Sequence, residues 1–278
     1  MSNVVDNATS MGIKNNPNRP SLWQVPTGTI APEKIQELTT RLRDIVARGQ
    51  VAQQARRPSA QGAIIKIANS LSAEDMVIMH HWLRGAGLSA AEQGTATFFM
   101  LETGRLPSES LAYLEMLKQH YGVAPLPTYP DKGDVAAMIQ QYGLNGFYDS
   151  LVARKACCGV RKVAPLKNML AGAVMWVTGQ RRGQGETRQE INFHEDDRAF
   201  GLDKYNPLFD WSEGEVFAYL ADMGVPLHPL YQRGYASIGC DPCSRAIKAG
   251  EPPRAGRWWW EDAINKECGI NEINMKNN

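Results

Sequence analysis

Five cysteines carry the first chemical signal in this chain: Cys157, Cys158, Cys240, Cys243 and Cys268. The adjacent pair Cys157-Cys158 and the Cys240-Asp241-Pro242-Cys243 motif could together close the shell of one soft metal centre with four thiolates. Four unrelated buried cysteines are the plain alternative, since free Cys packs as a small hydrophobe. A CxxC in a polar, proline-containing loop makes a poor core segment. Structural zinc sites use two spaced pairs, and an adjacent Cys-Cys pair is awkward around one small tetrahedral ion. A cube of iron and sulfur takes ligands from neighbouring residues more easily, so the spacing favours a 4Fe-4S cluster over zinc. Cys268, in Lys266-Glu267-Cys268-Gly269, is left over. It is either an inert thiol or a nucleophile. A nucleophile needs positive charge nearby to hold a thiolate, which Arg254, Arg257 and Lys162 could supply.

Anion-binding loops form the second signal. Ser70-Leu71-Ser72-Ala73-Glu74-Asp75 stands where a strand feeds a helix N-terminus, a setting that suits a phosphate and equally suits ordinary helix caps. Neither a Walker loop nor a GxGxxG fingerprint is present. Arg181, Arg182 and Arg188 lie in a Gly-rich loop and read either as anion donors or as a solvated charge run. The histidines His80, His81, His120, His194 and His228 are scattered and are assigned no role.

The elements that must position these residues alternate. A helical pattern starts at Pro32, with Ile35, Leu38, Leu42, Ile45 and Val46 at helical spacing. Ala63–Ala68 reads as a strand feeding a helix from Glu74. Ala96–Leu101 reads as a second strand, followed by a helix over about 107–120. Ala173–Thr178 is a third strand, and Ser212 with Glu215 forms a capping-box pattern. Strands alternating with helices predict an α/β fold with a doubly wound, mainly parallel sheet. Ligands of such sheets bind at the carboxyl ends of the strands, so the loops at 69–72, 101–105 and 179–188 should face one crevice. Residues 1–30 read as a flexible arm and 31–245 as the α/β domain. Residues 246–278 read as a mobile C-terminal segment carrying Cys268.

Composition bounds the rest. The 278 residues are 43% hydrophobic and 21% charged, which excludes a mostly disordered chain. The net charge of +1 argues against a protein built around nucleic acid or an anionic membrane. No apolar run reaches the length of a membrane span. The N-terminus lacks a signal-peptide pattern, so the expected location is cytoplasmic.

The segments RKACCGVRKVAPL (154–166), VTGQRRGQGETR (177–188), GYASIGCDPCSRA (234–246), RAGRWWWE (254–261) and KECGI (266–270) together resemble assimilatory adenylyl-sulfate (APS) reductases, relatives of the PAPS reductases. SLSAEDMVI (70–78) and LETGRLPSES (101–110) resemble that family's nucleotide loops. The resemblance implies an adenine-nucleotide α-hydrolase-like fold. It implies a 4Fe-4S cluster on Cys157, Cys158, Cys240 and Cys243, with Cys268 as nucleophile. Lys162, Arg254 and Arg257 would bind the phosphosulfate, Leu101, Thr103 and Gly179 would line the adenosine site, and Ser70 and Ser72 would lie on the loop beside the nucleotide. The implied reaction converts APS to sulfite and AMP through an S-sulfonated Cys268, with thioredoxin as reductant; PAPS or dual activity is the alternative. The oligomeric state stays open.

Four positions depart from the family pattern: Glu102 where Asp is usual, Gly183 and Gly185 where Glu and Ser are usual, and Asn271 where His is usual. Two rival readings remain. An ATP-dependent carbonyl-activating enzyme would carry an SGGxDS loop, which this chain lacks. A four-cysteine zinc protein touching nucleic acid would be basic, which this chain is not.

Overall fold

The computed structural model describes residues 21–55, 64–185 and 188–261. Six strands form one sheet in the order β3-β2-β1-β4-β6-β5. They are β1 (Ile65–Ala68), β2 (Ala96–Leu101), β3 (Leu126–Thr128), β4 (Met175–Val177), β5 (His194–Asp197) and β6 (Leu202–Tyr205). All neighbours are parallel except the edge pair β5 and β6. The chain winds outward from β1 to β3, then returns to place β4 on the other side of β1. That reversal is the topological switch point, where open α/β sheets leave a crevice at the strand ends.

Period-two alternation assigns each strand residue to a face. Ile65, Ile67, Phe98, Met100, Met175 and Val177 join the larger core with helices α1 (Pro32–Gln54), α2 (Ala73–His80), α4 (Ser108–Tyr121) and α8 (Glu213–Asp222). Phe99 and Trp176 point to the other face and pack with Leu166 and Leu170 of α7 (Ala164–Leu170). The capping box at Ser212 and Glu215 is present: the Glu215 amide donates to Ser212 Oγ at 3.1 Å, and the Ser212 amide donates to the Glu215 carboxylate at 2.6 Å.

Several elements lie outside the expected list. These are β3, β5, β6, the short α3 (Ala90–Gln93), α5 (Lys132–Tyr142) and α6 (Leu151–Cys158), which runs through a π-helical turn, Gly159–Val163, into α7. π turns recur at functional sites, and this one carries Arg161 and Lys162 directly after the cysteine pair.

The arm expected over 1–30 is described from Ser21 onward, and within it Trp23 and Ile30 contact the body of the fold. Trp23 sits against Phe217 and Tyr231, and its amide donates to Ile247 O at 3.0 Å. Ile30 is buried and its amide donates to Asp222 Oδ2. The stretch 246–261 is likewise built into the body of the fold, with Ile247 and Trp258 buried. No helix among the described residues is long and apolar enough to cross a membrane.

Candidate active site

Three strand ends and the 236–240 loop enclose a cleft of about 300 Å³ at the switch point. Ser70, Ser72, Leu101, Lys162, Gly179, Arg254 and Arg257 all line it, so seven of the eight expected substrate residues meet in one place.

The first wall is the Asn69–Ser72 loop. Asn69 Oδ1 accepts the Leu71 amide at 2.9 Å, which fixes Leu71 at a φ of 65°. Left-handed backbone is unusual for a bulky residue; here the buried Leu71 side chain helps hold it. Asp75 Oδ2 accepts both the amide and the hydroxyl of Ser70 at 2.7 Å. Ser72 caps α2 by accepting the Asp75 amide, and the Tyr231 phenol oxygen accepts the Ala73 amide at 2.7 Å. The amides that would have seated a phosphate at this helix start are thus largely committed to the chain's own side chains. Positive charge for an anion comes from the opposite wall.

That wall carries Lys162, Arg254 and Arg257. Arg257 is 6% exposed and its guanidinium lies 4.8 Å from the Trp258 ring centroid; that of Arg254 lies at 5.8 Å. Gly239 lets the chain pass Arg257, because a Cβ there would collide with the guanidinium. In the loop after β4, Arg181 is not an anion donor. Its Nε and Nη2 donate to Glu74 Oε1 at 3.0 and 2.8 Å, and Nη1 donates to Trp211 O. Burial pushes the Glu74 carboxyl up, but Arg181 and Gln184 outweigh it and hold the pKa below the ordinary value. Arg182 turns away to Ile191 O and Asn192, whereas Arg188 reaches the cleft.

Behind the cleft lies a much smaller cavity of about 10 Å³, lined by Cys157, Cys158, Cys240 and Cys243. Arg105, Arg154, Arg161 and Lys162 also border it. Lys162 and Cys240 line both cavities. The Asp241–Cys243 turn is held by the Asp241 amide on Arg105 O, the Tyr148 hydroxyl on Pro242 O, and the Trp258 amide on Cys243 O. Burial pushes the Cys243 thiol up to about 11, against the pull of Lys162 and Arg257, and raises Cys157 as well. Among the described residues no three His, Cys, Asp or Glu lie close enough to share one metal ion. A tetrahedral zinc ion with Zn–S bonds of about 2.3 Å would draw its thiolates to within about 4 Å of each other. The four thiols line one cavity bordered by cations and could together hold a metal centre.

Residues 65–246 match the phosphoadenosine phosphosulfate reductase domain. The chain belongs to the phosphoadenosine phosphosulfate (PAPS) reductase family. Among curated relatives, the adenosine 5'-phosphosulfate reductase of Allochromatium vinosum is 49% identical over 206 residues, covering 74% of this chain and 78% of that protein. The adenosine 5'-phosphosulfate reductase of Neisseria meningitidis (serogroup A) is 42% identical over 260 residues, covering 91% and 98%. Among solved structures, PAPS reductase from Candida auris in complex with phosphate superposes with a TM-score of 0.54 at 18% identity. That likeness covers 77% of this chain and 98% of the other, and it establishes the shared α/β fold.

Within this PAPS reductase-family fold, one expected site residue falls elsewhere. Thr103 is not on the cleft wall. It is 1% exposed, its hydroxyl lies 3.3 Å from Cys240 Sγ, and its carbonyl accepts from Arg161 Nη1 at 2.7 Å. The strand end turns at Gly104, φ 69°, which swings Thr103 toward the cysteines. Glu102, one of the departures, accepts the Gly104 amide and so supports the same turn. Cys268 and Asn271 lie outside the described residues. Arg105, Arg154 and Arg161 were not singled out from the sequence. Positions 154 and 161 fall three before and four after Cys157, one face of a helix, so reading 151–170 as helical would have revealed two of them.

Two expected outcomes arise here. Gly179 brings the loop after β4 against the start of α2, where a Cβ would collide with Asp75 and sit 2.8 Å from Glu74 Cβ. Gly179→Ala should lower stability by about 1–3 kcal/mol, the range for overpacking, and weaken substrate binding, read from the denaturant midpoint and from KM. Asp75 has its carboxyl pushed up to about 6 by burial, with the Ser70 hydrogen bonds opposing. Between pH 4 and 6 the folded state therefore keeps a proton that the unfolded chain has lost, and stability falls as pH rises through that window. Asp75→Asn should remove about 2–3 kcal/mol of that pH-dependent change, measured as the difference between variant and parent unfolding free energies at pH 4 and pH 7.

Proposed function

We propose that this enzyme reduces adenylyl sulfate to sulfite and AMP in assimilatory sulfate reduction, the cytoplasmic route toward cysteine, with thioredoxin as reductant. The observation that carries the reading is Lys162, which faces the nucleotide cleft on one side and the four cysteines on the other. The relatives named adenosine 5'-phosphosulfate reductase support the choice of substrate. Leu101, Gly179, Ser70 and Ser72 hold the nucleoside, and Lys162, Arg254 and Arg257 hold the phosphosulfate. The thiolate of Cys268 attacks sulfur; the S–O bond breaks and AMP leaves with the electron pair. The fixed cations neutralise the approaching anions and the phosphate that departs. A thioredoxin thiolate then attacks Cys268 Sγ and expels sulfite, and the second thioredoxin thiol resolves the mixed disulfide, returning Cys268 reduced.

Cys157, Cys158, Cys240 and Cys243 would hold the 4Fe-4S cluster, which when bound ties α6 to the 240–243 turn and supplies fixed charge beside Lys162. Two measurements test this. Anaerobically purified enzyme should contain about four iron and four sulfide per chain, and a colourless zinc protein would refute the cluster. AMP formation with thioredoxin should favour APS over PAPS; equal or greater use of PAPS would refute the substrate.

A further inference from the structure

Among the described residues three carboxylates line the cleft: Glu74, Asp75 and Glu213. Two of them are committed to the chain itself. Glu74 Oε1 accepts from Arg181 and, at 3.0 Å, from Gln184 Nε2. Asp75 Oδ2 accepts the amide and the hydroxyl of Ser70. The Glu213 side chain makes no hydrogen bond or ion pair among the described residues. It stands in the first turn of α8 but takes no part in the cap there, which Ser212 and Glu215 close on each other. The charges it feels most are Arg181 and Glu74. Those two form one ion pair, N to O 2.8 Å, and largely cancel. Glu213 is therefore the uncompensated negative charge at this end of the cleft. Burial raises its pKa above the ordinary carboxylate value, with Arg181 opposing. A partly buried carboxylate without a donor has a desolvation cost that only a ligand can offset.

Its place in the fold selects the part of a nucleotide it meets. The apolar lining, Phe99, Leu101, Leu166 and Trp176, lies on the α7 face of the sheet and suits a flat base. The cations Lys162, Arg254 and Arg257 suit the phosphosulfate. Glu213 belongs to the other face, with α8 and α2, and shares its surroundings with Gly179, whose carbonyl accepts from Gln184 Nε2 at 3.3 Å. What remains for that face is the sugar. APS and PAPS share the base and the phosphosulfate. They differ at the ribose 3′ position, a hydroxyl in one and a phosphate in the other. A carboxylate accepts a strong hydrogen bond from the hydroxyl and repels the phosphate.

We propose that Glu213 is a specificity-determining residue, whose carboxylate accepts a hydrogen bond from the ribose 3′-hydroxyl of APS and excludes the 3′-phosphate of PAPS. The proposal rests on the cleft being the nucleotide site of the reading above.

The test is equilibrium binding of AMP and of adenosine 3′,5′-bisphosphate to the full-length protein at about pH 8, where a carboxylate is ionised. Neither probe carries the sulfate, so the result is independent of turnover. The parent should bind AMP at least about 30-fold more tightly, a ratio within reach of one like-charge contact. Glu213→Gln keeps the shape and loses the charge. It should weaken AMP about threefold, for the loss of a charge-assisted bond, and tighten the bisphosphate about threefold. A residue that only supports the fold would move both affinities in the same direction. A parallel shift, or an unchanged ratio, overturns the proposal and leaves the APS reading standing. Glu213→Ser removes the charge with a smaller side chain and should narrow the preference by at least about tenfold; a parental preference in that variant also overturns it. If the parent binds no AMP at all, the nucleotide reading of the cleft fails, and the role of Glu213 falls with it.

Discussion

Cys268→Ser is expected to reduce AMP release from APS by at least about 10⁴-fold, the scale on which removing a nucleophile acts. A thiolate attacks sulfur readily, whereas a serine hydroxyl stays protonated without a paired base. Binding should survive. Lys162, Arg254 and Arg257 keep their charges in the variant, so the APS dissociation constant should stay within about threefold. The four cavity cysteines are untouched, so iron content should match the parent. Rapid-mixing AMP assays and equilibrium binding on one preparation check all three. Loss of binding together with loss of turnover would assign Cys268 to substrate binding instead.

Arg257→Lys keeps the charge and should still lower kcat/KM by about 10²-fold, within the range for losing one well-placed donor to developing charge. Arg257 is buried, its guanidinium faces the Trp258 ring, and Gly239 gives it clearance. An ammonium has no planar fork to stack there or to grip a phosphosulfate through two donors. Steady-state kinetics with APS, alongside iron content to confirm the loaded enzyme, read the effect. A lysine variant with parental kcat/KM would mean that Arg257 supports Trp258 and does not hold substrate.

These two residues also show what the sequence exposes and what it hides. Strands β1, β2 and β4 are apolar runs in a doubly wound pattern, and the Ser212 cap is a local motif; both were readable without coordinates. The cysteine spacing pointed to one four-thiol centre because pair chemistry does not depend on knowing the path between the pairs. Helix α6 was missed because it is short and its buried face holds Arg154 beside Cys158, so its burial does not follow hydropathy. The edge strand β5 reads His-Glu-Asp-Asp, and its pairing with β6 is invisible to hydropathy. Residues 246–261 looked like a tail because their composition is irregular. Their buried side chains, Ile247, Arg257 and Trp258, follow no periodicity that the sequence would report. The same gap concealed the commitment of Arg181 to Glu74: a Gly-rich loop with three arginines reads as an anion site until the partner of each is known.

The central claim is that APS, held by Lys162, Arg254 and Arg257, passes its sulfur to Cys268. Intact mass of the anaerobic enzyme after mixing with APS, with no reductant present, tests it most directly when followed by peptide mapping. The account predicts a gain of one sulfonate group, about 80 Da, on the peptide containing Cys268, with one AMP released per chain and no gain in Cys268→Ser. An unmodified Cys268 in an enzyme with intact iron and sulfide, or a sulfonate on any of the four cavity cysteines, would contradict it.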